Sequence, residues 1–439
     1  MESDYLRIKK NVLERIKPGD EERERVDEVT RDLVGKISPF LKRGCEVITV
    51  GSVAKGTFLS KDRDIDIFIV FDETLDLEGM RRVVRRVGRA VFGSFEERYA
   101  QHPYIRAIYR GFEIDLVPAL RFSSGAGTGV DRTPKHTRFV LEKIGDNPGL
   151  VDGVLLLKQF AKGIGIYGAE ARVQGISGYL CELFILKYGS FESFLDAAGN
   201  LAPHNILTMN GSFTMRTEWK NAPLVFVDPV DSKRNVASSL SHDCFELMKR
   251  AAGDFLREPR ITFFFPNDPS LSEKFPGEKL IVMDLSNALI PNIEDIYYPQ
   301  LRRSEEIVTM FLKDFGVEKS AIYCDRGRNL IFFQLSKKRL EETYVHAGPP
   351  LNLKESVEMF VKRWGSQNCF MEGEKIYTVV KRDLTRPAEI IKINLPSVRL
   401  GKGIDNGKVT FLEDISGIID VDIRRFLIKC FSGEMLWGF

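Results

Sequence analysis

The first 145 residues alternate between two patterns of apolar positions, one typical of amphipathic helices and one typical of strands. Between Leu6 and Ile37 the apolar residues recur every three or four positions, which predicts two amphipathic helices within about the first 43 residues. Short apolar runs bounded by polar or glycine-containing segments predict strands. These strands lie at 46–50 and 65–71 and on either side of Arg110-Gly111, and a basic helix is predicted at 77–92. The N-terminal part is therefore predicted to be one α/β domain.

Farther along the chain, the pattern changes twice. Residues 150–255 carry long helical apolar patterns, and Ser177 is placed to cap one of those helices. From about residue 260 strand patterns return, with helices predicted at 300–315 and 353–365. The predicted strands are ITFFFP, KLIVMDL, AIYCDRGRNLIFFQL, KIYTVVKR and KVTFLED. The fold class is therefore multidomain α/β and α+β, and the length of 439 residues agrees, because single cores rarely grow so large.

Composition narrows the class of protein without pointing to a partner. The net charge of +2, from 64 basic and 62 acidic residues, argues neither for nor against nucleic acid. The six cysteines are scattered and form no CxxC pair, which excludes the usual zinc spacings and resembles no disulfide framework. The charged N-terminus has no apolar signal-peptide core, and no run of about 18 apolar residues predicts a membrane span. We therefore expect a cytoplasmic protein without a membrane partner.

Three aspartates interrupt apolar strand patterns. Asp64 and Asp66 are two residues apart, so their side chains share one face of a strand and their Cα atoms lie roughly 6.5 Å apart. Asp115 lies in a similar apolar run, FEIDLVPAL, on a strand that could lie beside the first. Three carboxylates on adjacent strands form a hard-oxygen site suited to Mg²⁺, and two such ions can support phosphoryl transfer. The alternative is that these residues cap turns at strand ends.

A glycine-serine turn precedes the two aspartates by about a dozen residues. Gly51 and Ser52 offer backbone N–H groups and a hydroxyl, which suit a phosphate, and Lys55 adds a cation. The alternatives are an ordinary turn and a solvated loop lysine.

The order of these features resembles the DNA polymerase beta-like nucleotidyltransferases, which have a Gly-Ser turn, an Asp-x-Asp strand and a third carboxylate on a later strand. A larger set of segments resembles the archaeal-type (class I) CCA-adding tRNA nucleotidyltransferases, densely over about residues 40–245 and more loosely to the C-terminus. Those segments are GSVAKGT, DIDIF, EIDLVPA, DRTPKHT, LLLKQFAKGIGIYG, GISGYLCELFILKYGSF and DPVDSKRNVA. The resemblance implies a polymerase beta-like head, a helical neck, and an α+β body and tail. The implied boundaries are 1–145 for the head, 146–258 for the neck, 259–300 with 380–439 for the body, and 301–379 for the tail.

The resemblance also implies roles for single residues. His136, Lys158 and Tyr167 would bind the triphosphate with Gly51, Ser52 and Lys55, and Arg234 would select the base. Most members carry Arg where this chain has Lys55, and Lys lacks the bidentate fork of Arg. The alternatives are that His136 lies in a surface loop and that Lys158 only snorkels to solvent. Likewise, Tyr167 could be an aromatic residue that packs between domains, and Arg234 could be a turn arginine paired with Asp228 or Asp231.

The implied function is template-independent addition of C, C and A to the 3′ end of immature or damaged tRNA from CTP and ATP, with release of pyrophosphate. Asp64 and Asp66 would bridge two Mg²⁺ ions, and Asp115 would join them at one. The body and tail would contact the acceptor stem and T-loop arm, and segment 375–408, with eight basic and three acidic residues, suits RNA unless it is a solvated face. Arg302 and Arg303 are weaker candidates. A homodimer is favoured by the resemblance. The rivals are a poly(A) or other RNA-tailing polymerase and a catalytically silent RNA-binding protein.

Overall fold

The structure is a computed structural model. It describes residues 2–42, 44–62, 64–71, 76–99, 103–121, 129–145, 147–211, 213–288, 294–325 and 327–438. The chain divides into two compact units, Met1–Asn267 with Leu436–Phe439, and Asp268–Met435. In the described residues no helix is long and apolar enough to cross a membrane.

Unit 1 contains nine helices and eight strands within its described residues. The helices are α1 (Glu2–Ile16), α2 (Asp20–Ile37), α3 (Gly51–Lys55), α4 (Leu77–Val91), α5 (Gly129–Ile144), α6 (Pro148–Gly163), α7 (Gly178–Tyr188), α8 (Phe191–Gly199) and α9 (His242–Arg257). The strands are β1 (Glu46–Val50), β2 (Asp64–Phe71), β3 (Glu96–Tyr99), β4 (Pro103–Tyr109), β5 (Phe112–Leu120), β6 (Asn205–Leu207), β7 (Leu224–Asp228) and β8 (Asp231–Asn235). The helices and strands predicted for the first 145 residues and the helical stretch that follows are confirmed.

The first five strands form one sheet in the order β1-β2-β5-β4-β3. Strands β2 and β5 run parallel at its centre, and the other neighbours are antiparallel. On one face, Ile65, Ile67 and Ile69 pack with α2 and α4 in the main core of this sheet. On the other face, Phe68 and Val70 pack in a smaller apolar cluster. The apolar residues of β2 are therefore buried on both faces farther along the strand. The polar side chains of Asp64 and Asp66 lie at its start, on the face opposite the main core.

Helix α7 begins as predicted, because the Ser177 side chain accepts a hydrogen bond from the backbone N–H of Leu180 at 3.1 Å. The strand predicted for ITFFFP is wrong. Ile261–Phe263 forms a 3₁₀ turn. Its phenylalanines pack into a cluster of rings with Phe160 and Phe255, so apolar side-chain contacts rather than strand pairing account for this hydrophobic run.

Unit 2 contains two sheets in the part of the chain that the structure describes. Its strands are β9 (Leu280–Asp284), β10 (Val317–Asp325), β11 (Arg328–Leu335), β12 (Thr343–Pro350), β13 (Cys369–Glu372), β14 (Lys375–Lys381) and β15 (Thr410–Leu412). Its helices are α10 (Glu294–Phe311), α11 (Lys354–Trp364), α12 (Pro387–Asn394) and α13 (Val421–Phe431). The sheet orders are β10-β11-β9-β15 and β12-β14-β13.

The division into head, neck, body and tail stays a prediction. Within it, β10 and β11 come from the predicted tail and share a sheet with β9 and β15 from the predicted body. Strand β9 lies inside this sheet, and its alternating apolar residues are buried on both faces. Ile281 and Met283 pack in the cluster that includes residues of α10 and α12, while Leu280 and Val282 pack with residues of α13.

Candidate active site

The three predicted carboxylates lie on adjacent strands. Strands β2 and β5 pair in parallel with Asp66 directly opposite Asp115, and Asp64 lies two residues before Asp66. Ile65, between the two aspartates, and Ile67, just after them, are buried on the opposite face. The period-two prediction is therefore confirmed, and all three aspartates share one face of the sheet.

The carboxylates repel each other electrostatically. Burial, followed by the negative charges of Asp115 and Asp64, raises the pKa of Asp66 to about 6, against the nearby cations Lys55 and Arg106. Burial and the charge of Glu113 also raise the pKa of Asp64. An ionised group in such surroundings is stabilised by a cation. The site thus has the electrostatic character of a cation-binding site.

Arg106, which sequence reasoning missed, supplies one cation to this site. It lies opposite Asp115 on the neighbouring strand β4. Its Nε donates to Asp115 Oδ1 at 2.7 Å, and its Nη2 donates to Oδ2 at 2.6 Å. This bidentate pair is the strongest common form of ion pair. The sequence YIRAIYR carries a charge in an apolar strand, which is a signal that the residue has a buried or half-buried partner.

The donor set fits a divalent metal ion by its chemistry. Three carboxylates on one face supply hard oxygen ligands, and the pKa of Asp66 is raised by burial and then by the negative charges of Asp115 and Asp64. Among the described residues, no three acidic, histidine or cysteine side chains are already gathered as a metal cluster. The Arg106 pair engages both carboxylate oxygens of Asp115, so a metal ligand role for Asp115 requires that this pair be loosened.

Gly51 brings the predicted phosphate turn against the carboxylates. It begins α3 with φ +71°, and a Cβ at this position would lie 2.1 Å from Asp66 Oδ2. Only glycine combines this backbone conformation with so close an approach. Ser52 follows in the first turn of α3, so the predicted phosphate-binding amides and the metal-binding carboxylates are neighbours.

The two predicted phosphate lysines are buried around one acid, Glu182. Lys55 Nζ donates to Glu182 Oε2 at 2.6 Å, and Lys158 Nζ lies 3.9 Å from Oε1. Lys158 also donates to the carbonyl oxygen of Thr57 at 2.7 Å. The side chains of Lys55 and Lys158 are 7% and 3% exposed, so the solvated and snorkelling alternatives are wrong. Burial, together with the charge of Lys55, lowers the pKa of Lys158.

The hydroxyl of Tyr167 lies near the ammonium group of Lys158. A Cβ at Gly178, at the start of α7, would lie 3.1 Å from the Tyr167 hydroxyl and 3.6 Å from Lys158 Nζ. Burial raises the pKa of Tyr167, which keeps its hydroxyl protonated as a hydrogen-bond donor. The aromatic ring is only partly buried and also contacts Lys162, whose Nζ lies 5.3 Å from the ring centroid.

His136 and Arg234 meet at a second buried acid, Asp228. His136 Nε2 and Arg234 Nη1 each lie 2.8 Å from Asp228 Oδ2. His136 belongs to α5 and is 8% exposed, so the surface-loop alternative is wrong. The pairing of Arg234 with Asp228 rather than Asp231 is the turn-arginine alternative, and the Arg234 side chain still has 34% of its surface exposed.

Tyr179 connects the two groups of residues. Its ring stacks on that of His136 with centroids 4.2 Å apart, and Lys55 Nζ lies 5.9 Å from the ring centroid. Sequence reasoning missed Tyr179 and Glu182. Glu182 could have been found, because an acid in the apolar helix GYLCELFIL is expected to be buried with a partner. The predicted site residues thus come together in unit 1 as three neighbouring groups.

The sequence matches three family descriptions. Residues 31–144 match a nucleotidyltransferase domain, residues 152–265 match the second domain of tRNA nucleotidyltransferase, and residues 278–409 match the C-terminal domain of the CCA-adding enzyme. Nucleotidyltransferases of this kind generally use divalent metal ions.

Curated relatives match over almost the whole chain. The CCA-adding enzyme of Methanosarcina acetivorans is 34% identical, over 96% of this chain and 97% of the relative. That of Methanosarcina mazei is 36% identical with the same coverage, and that of Methanocaldococcus jannaschii is 31% identical over 92% and 94%. A solved structure of the Cid1 poly(U) polymerase covers 59% of this chain and 96% of its own, with TM-score 0.48 and 16% identity. The chain therefore belongs to the archaeal CCA-adding enzymes, a family of tRNA nucleotidyltransferases with a polymerase beta-like head.

Proposed function

We propose that this chain adds C, C and A to the 3′ end of immature or damaged tRNA, using CTP and ATP and releasing pyrophosphate. The observation that carries the proposal is the register of β2 and β5, which sets Asp66 opposite Asp115 beside the Gly51-Ser52 turn. Membership of the family narrows general nucleotidyl transfer to this reaction.

The carboxylates would hold two Mg²⁺ ions, with Asp64 and Asp66 at both and Asp115 at one. When bound, these ions lower the pKa of the primer 3′-hydroxyl and neutralise charge on the triphosphate. The hydroxyl group gives up its proton to solvent, and its oxygen forms a bond to the α-phosphorus of the nucleotide as the bond from that phosphorus to the pyrophosphate oxygen breaks. Asp64, Asp66 and Asp115 need only hold their positions, because this scheme requires no separate protein base.

The neighbouring residues bind and orient the nucleotide. Ser52 and the first-turn amides of α3 bind phosphate oxygens, and Lys55, Lys158, His136 and Tyr167 supply cations and hydrogen-bond donors. Arg234 reads the Watson–Crick edge of cytosine or adenine, because its fixed donors match some base edges and not others. The buried position of both lysines supports this assignment, since charges shielded from water act more strongly on a phosphate.

Unit 2 would bind the acceptor stem and T-loop arm of the tRNA. Seven of the eight basic residues in segment 375–408 are exposed, as phosphate contacts require. Arg399 and Lys402 of this segment line a surface cavity of about 470 Å³ together with Arg303. Single RNA contacts, a homodimer and a cytoplasmic location belong to this proposal. The location is supported by six cysteines that are all free thiols.

The decisive assay uses purified protein, Mg²⁺ and tRNA that ends before C74. CTP, ATP, UTP and GTP are supplied singly and mixed, each with a label. Growth by CCA that then stops is the expected result. Long A tails would favour an RNA-tailing polymerase, and no growth would favour a silent RNA-binding protein.

A variant pair tests the site itself. Asp115→Ala should abolish incorporation, whereas Glu97→Gln should retain it. Glu97 is a matched control because it is also an acid of this sheet paired with arginine, yet it lies on β3, away from the three aspartates. Normal incorporation by Asp115→Ala would show that the carboxylate assignment is wrong.

A further inference from the structure

Asp228 contacts side chains from three elements, α5, α7 and β8. It ends β7, and its side chain is fully buried. Oδ2 accepts from Arg234 Nη1 on β8 and lies at the same 2.8 Å from His136 Nε2 on α5. Oδ1 accepts from the backbone N–H of Val230 at 3.0 Å and from the Tyr179 hydroxyl at 3.4 Å. All of its hydrogen-bonding capacity is thus directed at neighbouring groups.

Such a carboxylate is stable only as a fully paired ion. Burial acts to raise the pKa of Asp228, but hydrogen bonds from His136, the Val230 amide and Arg234 outweigh it, so the pKa lies below its ordinary value. The negative charge is therefore permanent near neutral pH. A permanent buried charge fixes the donors around it, because releasing any of them leaves the carboxylate under-compensated.

The oxygen Asp228 Oδ2 therefore contacts two residues with different proposed roles. Arg234 is the proposed reader of the base, and His136 is a proposed contact of the triphosphate. Among the described residues, Nη1 is the group of Arg234 that makes a hydrogen bond, which leaves its other donors for a base edge. The orientation of those donors follows from Asp228, since a guanidinium is planar and one anchored nitrogen restricts the rest.

We propose that Asp228 is a positioning residue that holds Arg234 for base selection and couples that selection to the triphosphate contact of His136. This inference rests on the proposed function. An arginine free to rotate can donate to acceptors on any base, including O4 of uracil and O6 of guanine. Loss of the Asp228 charge should therefore relax the choice of nucleotide more than it slows addition of the correct one.

The test compares Asp228→Asn with wild type on tRNA that ends before C74. The ratio of kcat/KM for CTP to that for UTP should fall about 10- to 100-fold, as expected when a charge-assisted hydrogen bond worth about 1.5–3 kcal/mol no longer orients Arg234. Asp231→Asn is the matched control. Asp231 is an acid of the same hairpin and lies 2.7 Å from Arg132, so it should leave the ratio unchanged.

An unchanged ratio in folded Asp228→Asn would overturn the inference, even if kcat fell. A wild-type protein that adds neither C nor A would instead overturn the proposed function. If Asp228→Asn does not fold, His136→Asn, Arg234→Lys and their double variant provide a second measurement. Because both side chains contact Asp228 Oδ2, their effects on the CTP-to-UTP ratio should be non-additive. Strict additivity would overturn the coupling.

Discussion

Gly51 allows the sharpest test of the site, because one added methyl group should displace a proposed metal ligand. The Cβ of Gly51→Ala would lie 2.1 Å from Asp66 Oδ2, whereas real Cβ contacts essentially never fall below 3.0 Å. The nearest atom belongs to the Asp66 carboxylate, so Asp66 must shift by about 1 Å or α3 must move as a whole. Either movement separates the phosphate turn from the carboxylates.

Two effects of this substitution can be estimated separately. Alanine at φ +71° is strained and should lower the free energy of unfolding by about 1–2 kcal/mol. A displacement of about 1 Å at reacting groups lowers rates about 100-fold, which corresponds to about 2.7 kcal/mol of transition-state stabilisation. The second effect is specific to the site, whereas the first would follow at any glycine with positive φ.

Gly56→Ala separates these two effects. Gly56 ends the same helix with φ +66°, and a Cβ there would have no neighbour within 4 Å. Both variants should lose stability in urea unfolding, Gly51→Ala at least as much as Gly56→Ala because its Cβ also meets Asp66, but only Gly51→Ala should lose about 100-fold in kcat for C addition. Equal kcat values for the two variants would refute the placement of Gly51 against a catalytic carboxylate.

Three further predictions concern the charges of unit 1. Arg106→Gln should tighten Mg²⁺ binding about 10-fold in calorimetric titration, because it removes a competing cation from Asp115, and unchanged or weaker binding would contradict this. Glu182→Gln should lower the free energy of unfolding by about 3–5 kcal/mol in urea, because it leaves two buried lysines uncompensated, and a loss below about 1 kcal/mol would refute the network. Burial acts against ionised Glu192, but hydrogen bonds from α1 hold its pKa at about 2. Ionised Glu192 contributes its full stabilisation above about pH 4.5, and this contribution is lost as the pH falls toward 2. In Glu192→Gln, the free energy of unfolding should therefore decrease by about 1 kcal/mol less over this pH range than in the wild type, as measured by thermal unfolding at pH 2–7.

Much of the catalytic sheet follows from local patterns. Alternation in a strand has a period of two, so Asp64 and Asp66 had to share a face once Ile65 between them and Ile67 after them were buried. The third aspartate was recognisable because it interrupts a similar apolar run. ITFFFP shows the limit of this reasoning, because a short apolar run describes burial and does not say whether a strand partner or a cluster of rings supplies it.

The sequence by itself determined the strands β1, β2, β4 and β5, the helices α1, α2, α4, α6 and α7, the shared face of Asp64 and Asp66, and the family through ordered motifs. These features depend on residues close together in the chain. Only the tertiary structure decided which charges meet. Lys55 pairs with Glu182 across 127 positions, and His136 lies beside Asp228 across 92. A buried charge requires a partner, but the residue alone does not specify which partner the fold will supply.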